Sequence, residues 1–177
     1  MAALPASNTA RFWLDYSDGV NEHSLTFRIS NSATLVTIKS QVDAFLTQLD
    51  TVLYLITILG CRVAVQGSNV TNPTPWTGAA TYGTGTMPVS NAPRELRFIG
   101  RSVDGRRNSI SVYGFDGATP DTYRITSASN PVIEAAILAL SNASALGVGL
   151  TISSGLPVWK AYASFNFNSY WEKEARP

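Results

Sequence analysis

Apolar and polar residues alternate along two separated stretches of the chain, and each stretch is interrupted by an Asp-Gly pair. Phe12-Trp13-Leu14-Asp15-Tyr16-Ser17-Asp18-Gly19 precedes an alternating run at 23–29, and Phe98-Ile99-Gly100-Arg101-Ser102-Val103-Asp104-Gly105 precedes another at 109–115. A period of two residues marks strands half buried in a sheet, and Asp-Gly between two such runs is the strongest short-range hairpin signal. Behind each hairpin the period becomes helical, over 35–56 and again over 132–140, and a further strand-like run follows each, at 61–66 and 150–153. The expected fold class is therefore α+β. Two similar β-β-α-β units, with mostly antiparallel sheets and two apolar helices, form one compact domain with pseudo-repeat halves at about 10–67 and 95–168.

In the first helix, apolar residues at 35, 38, 42, 45, 46, 49, 52, 53 and 56 keep one stripe, while Lys39, Gln41, Asp43, Gln48 and Asp50 fall off it. Ser32 is the expected N-cap and Gly60 the terminator. The stretch 53–59 is apolar nearly all round, so that helix end must be covered on every side, by the sheet or by another subunit. The second helix opens with Asn130 as cap, Pro131 at the first helical position and Glu134 in the first turn.

Between the halves, the proline- and glycine-rich stretch 68–93 has no period and reads as an extended loop or arm. Trp76 and Tyr82 in its middle place it on some surface, either that of another molecule or that of its own domain. Near the end, residues 159–167 alternate as a half-buried strand, and 169–177 form a C-terminal tail. Tyr170 and Trp171 in that tail are expected to dock on the parent domain or on a neighbour.

Charged residues make up 14% of the chain, well below the ~25% usual for soluble domains, so much of the exterior must be neutral or covered. The net charge of +1 argues against a global pull on nucleic acid or on an anionic membrane. The longest apolar stretch, 52–59, is far short of the ~20 residues that span a bilayer. A lone cysteine, Cys61, and an N-terminus without a basic start or apolar core fit synthesis in a reducing cytoplasm.

Catalytic chemistry finds little support. The one histidine, His23, lies in an alternating strand, and a triad with Asp18 would need a serine to converge on it. One Cys and one His offer no ligand pair for a metal, and neither Gly83-Thr84-Gly85 nor Gly147-Val148-Gly149 completes a phosphate-binding fingerprint, so no cofactor is expected. The carboxylates Asp15, Asp18 and Glu22 cluster, but any hairpin protein supplies such groups. Arg94, Arg97, Arg101, Arg106 and Arg107 form the main charged constellation, with Arg97 and Arg101 on a strand face shared with Glu95 and Ile99. That face is read as a solvated surface or as a dock for an acidic protein partner.

The segments Arg94-Glu95-Leu96-Arg97-Phe98-Ile99-Gly100-Arg101-Ser102, Asp104-Gly105-Arg106-Arg107 and Ser111-Val112-Tyr113-Gly114-Phe115, with Val158-Trp159-Lys160 and Tyr170-Trp171, resemble small virion structural proteins of tailed bacteriophages, cyanophages among them. The resemblance implies a protein that cements or decorates a capsid, often as a trimer, or a small tail component, located in the virion after synthesis in the host cytoplasm. The expectation is a non-enzymatic protein whose partners are itself, as a homotrimer, and a major capsid protein or other virion protein. The alternative is a tail or spike component that binds host-surface glycans through Trp76, Tyr82 and Trp159. Trp76, Tyr82, Arg97, Arg101, Tyr170 and Trp171 are the expected contact residues.

Overall fold

The computed structural model of the chain describes residues 10–29, 33–64, 72–85, 94–101, 107–115, 129–146, 160–165 and 169–174. The first hairpin pairs β1 (Arg11–Ser17) with β2 (Glu22–Arg28). Its inner face buries Phe12, Leu14 and Tyr16 of β1 against Leu25 and Phe27 of β2, as the alternation requires. The connection is a four-residue loop rather than a two-residue Asp-Gly turn. The Asp18 carboxylate accepts from the backbone N–H of Val20 (2.9 Å) and Asn21 (2.7 Å), and Gly19 takes the left-handed conformation, φ 90°, that such a loop needs.

Helix α1 spans Leu35–Gln48, with Thr34 rather than Ser32 as N-cap; the Thr34 hydroxyl accepts from the N–H of Thr37 at 3.2 Å. The helix stops well before residue 56. A single 3₁₀ turn, Asp50–Val52, follows, and the apolar stretch expected to close the helix instead opens strand β3, Ile56–Ala64. Apolar residues on all sides fit an extended segment as well as a buried helix, and the β-branched Ile56, Thr57 and Ile58 favour the strand. Gly60 consequently lies in mid-strand and terminates nothing.

Strand β3 pairs antiparallel with β1 on the side away from β2, with a bulge between Asp15 and Tyr16. Part of the expected loop then returns to this sheet as β4 (Asn72–Thr74) and β5 (Thr81–Tyr82), both paired with β3. The second half forms its own sheet and helix. Strands β6 (Arg94–Arg101) and β7 (Arg107–Tyr113) form a hairpin, helix α2 (Ser129–Asn142) follows, and β8 (Lys160–Phe165) pairs with β6. Helix α2 begins one residue before Asn130, which is therefore inside it and not its cap. The tail expected at 169–177 is a strand over much of its length: β9 (Ser169–Glu174) pairs with β8 along its whole run. The first sheet has five strands, in the order β2-β1-β3-β4 with β5 also on β3, and the second has four, in the order β7-β6-β8-β9. The Asp104-Gly105 turn, the run at 150–153 and Trp159 lie outside the described residues.

A shared core joins the halves. Helices α1 and α2 pack on each other, and β2 lies beside β7. The Phe45 ring of α1 meets Phe27 of the first sheet edge-on at 6.1 Å and Phe98 of the second at 5.1 Å. No described helix is long and apolar enough to cross a membrane.

Candidate functional site

Among the described residues the helices lie against the inner face of the first sheet, and register decides what its outer face presents. Cross-strand pairing groups Arg11 with Arg28 and Ala64, Trp13 with Thr26 and Arg62, Asp15 with Ser24 and Gly60, and Ser17 with Glu22 and Thr57. None of these residues is buried. The face is basic at the Arg11/Arg28 end and acidic at the Glu22 end, with Trp13 between them.

A hydrogen-bonded network fixes its centre. Arg62 donates from Nε and Nη2 to the two Asp15 oxygens, each at 2.8 Å, and the Ser24 hydroxyl donates to Asp15 at 2.6 Å. The Arg62 guanidinium also lies 5.6 Å from the centre of the Trp13 ring, within cation–π range. Burial pushes the Asp15 carboxyl up, but the bonds from Arg62 and Ser24 and the Arg62 charge outweigh it, so Asp15 ionises below the usual carboxylate range. The Asp15 carboxylate in turn raises Arg62.

An open depression of about 480 Å³ adjoins this network, lined by Asp15, Glu22, His23, Ser24, Leu59, Gly60 and Arg62. Gly60 lines it without a side chain to occupy any of its space. A Cβ built there would meet nothing within 4 Å, so neither backbone nor packing demands glycine. Leu55 and Leu59, both about half exposed, border the same end of the sheet.

His23 is held for structure. Its Nε2 lies 2.7 Å from Asp18, and its ring stacks on Tyr113 of the second half at 4.8 Å and 15°. Burial pushes the Asp18 carboxyl up; the N–H of Asn21, the His23 ring and the N–H of Val20 more than offset this, leaving it below the usual range. The Ser24 hydroxyl is bound to Asp15, and Ser24 and His23 are adjacent in β2, so their side chains leave opposite faces of the strand. The described residues thus form a His–Asp pair without a serine placed for its activation. They also contain no group of three metal-ligating side chains.

The expected contact residues lie apart from this face. Trp76 packs on Phe12 with ring centres 6.5 Å apart, and its Nε1–H donates to the carbonyl of Ala79. Tyr82 is 2% exposed and its hydroxyl donates to Asp43 at 2.5 Å. The described part of the arm, 72–85, therefore packs across its own domain. Helix α1 and the turn after it strap it down: Lys39 of the helix donates to the Thr74 hydroxyl and the Pro75 carbonyl, Asp43 accepts from the N–H of Ala79, and Asp50 of the 3₁₀ turn accepts from the N–H of Gly83. Arg97 is half exposed and forks onto Glu95 of its own strand at 2.9 and 3.0 Å. Arg101 stands opposite Arg107 in the β6–β7 register, and Tyr170 and Trp171 lie on β9 opposite Ser164 and Ala163.

The group that sequence reasoning missed is Arg11, Arg28 and Arg62 around Trp13. Positions 11, 28 and 62 form no cluster along the chain, and only the pairing of β2, β1 and β3 brings them together. Comparison of the chain with protein-family models, with curated proteins and with solved structures finds no match.

Proposed function

We propose that this protein is a non-enzymatic virion structural component that associates with itself and binds a protein shell, stabilising a phage capsid as a cement or decoration protein. The observation that carries this reading is the outer face of the first sheet, left uncovered by the described residues and bordered by the exposed Leu55 and Leu59, in a fold whose described helices lie on the other side. A face of mixed charge around a central tryptophan suits contact with protein, where aromatic and arginine anchors carry much of the energy. The His23 and Ser24 side chains are tied into internal pairs, His23 with Asp18 and Ser24 with Asp15. Many modest contacts repeated over a symmetric shell give avidity that no single contact would supply.

Co-sedimentation of the protein with purified empty phage shells tests this reading. Saturable binding to shells supports it. Failure to bind any shell, together with binding on a glycan array, overturns it in favour of a host-recognition component.

A further inference from the structure

The outer face of the first sheet carries opposite charges at its two ends. Arg11 and Arg28 sit directly across from each other at one end, and Glu22 stands six residues from Arg28 along β2, about 20 Å away at strand spacing. Like charges directly opposite on neighbouring strands repel. Among the described residues, neither arginine nor Glu22 makes an ion pair, whereas Asp15 and Arg62 between them neutralise each other.

A face that is basic at one end, acidic at the other and aromatic in the middle complements itself under a two-fold axis through its centre. In such a pairing residue i meets residue j while j meets i, the defining property of an isologous contact. We infer that this face is the surface through which two copies of the chain pair, with Arg28 of the partner subunit entering the depression beside Glu22 and Asp15. This rests on the self-association in the proposed function and names its surface.

The depression fits that occupant. Two of its lining residues are carboxylates, Asp15 and Glu22, against the single arginine Arg62, and the missing side chain at Gly60 leaves its floor open. Pairing Arg28 with Glu22 puts the axis midway between the Trp13 and Asp15 rungs, so each Trp13 lies beside the axis over the partner's Asp15 rung, near the centre where aromatic anchors contribute most. Leu59 at the rim adds apolar area on both sides. The face is three to four strands wide, which places the contact among weak interfaces, so the pair forms in the micromolar range or above and is reinforced on a shell by repetition.

Sedimentation equilibrium of the full chain from micromolar to sub-millimolar concentration tests the pairing, with thermal melts as the control for folding. The wild type is expected to reach a dimer. Glu22→Arg and Arg28→Glu should each weaken the dimer about tenfold or more, and the double variant, which rebuilds the pairs with reversed polarity, should return to within about threefold of wild type. Arg28→Glu places a carboxylate opposite Arg11, so its melt should not fall while its association does. Gly60→Ala adds a methyl group to the depression, where a Cβ meets nothing within 4 Å, and should also weaken the dimer. Single variants that associate like wild type, or a double variant no better than the singles, overturn the pairing. A wild-type trimer overturns the two-fold contact and leaves the structural reading standing, whereas a wild-type monomer at every concentration overturns the self-association in that reading as well.

Discussion

The hydroxyl of Tyr16 and the backbone of Tyr113 hold each other from both sides: the hydroxyl donates to the Tyr113 carbonyl at 3.0 Å and accepts from the Tyr113 N–H at 2.8 Å. A side chain of the first sheet thereby satisfies both backbone groups at the end of β7. Tyr16 itself is fully buried, and burial drives its phenol well above the ordinary tyrosine range, so it remains a neutral donor and acceptor. With His23 stacked on the Tyr113 ring, this contact joins the two halves along the β2–β7 seam.

Tyr16→Phe keeps the ring and deletes the hydroxyl, leaving the half-buried N–H and C=O of Tyr113 without that partner. The expected loss is about 2–4 kcal/mol, from the usual cost of stranding buried polar groups. Urea unfolding of the two proteins measures it, and a loss under about 0.5 kcal/mol would mean that water replaces the hydroxyl.

Acid should act through Asp18. Its carboxyl ionises more readily in the folded chain than in the unfolded one, so the stability it contributes is fully present above the unfolded value of about 4 and is lost as pH falls through the lower folded value. Asp18→Asn should be less stable than wild type at neutral pH and should lose less further stability below about pH 4. Chemical denaturation repeated across that range distinguishes this from an acid transition governed elsewhere, in which case the two proteins would fall in parallel.

The arm at 72–85 depends on Asp43, which accepts from the Tyr82 hydroxyl and the Ala79 N–H. Asp43→Ala should cost about 1–3 kcal/mol because Tyr82 is buried and its hydroxyl loses its acceptor. Asp43→Ala combined with Tyr82→Phe should cost less than the sum of the two single changes, and a strictly additive pair would show that the two side chains are not coupled.

Phe45 touches both sheets, so Phe45→Ala should remove about 3–5 kcal/mol and loosen both halves at once. Calorimetry should show one transition at lower temperature. Two separated transitions would mean that the halves hold independent cores.

Much of the fold could be read along the chain wherever one period dominated. The alternation at Phe12, Leu14 and Tyr16 gave β1, and the stripe through Ile38, Val42, Phe45 and Leu46 gave the buried side of α1. The end of that helix was not legible, because apolar residues on every side from 53 to 59 satisfy both periods; the pairing of β3 with β1 settles the matter through contacts distant in sequence. Lys39 and Asp43 read as solvated helix positions, yet their charges hold down the arm, a role visible only once residues 72–83 fold back on α1. The outer-face arginines were hidden for the same reason, since cross-strand register is a property of the assembled sheet.

Electron cryo-microscopy of empty phage shells incubated with saturating protein tests the central claim most directly. The account predicts copies of the chain seated on the shell in its symmetry, with the Trp13 and Arg62 face of the first sheet turned against a neighbouring chain. Bare shells at saturation would contradict the structural role, and bound copies with that face open to solvent would contradict its use as the contact surface.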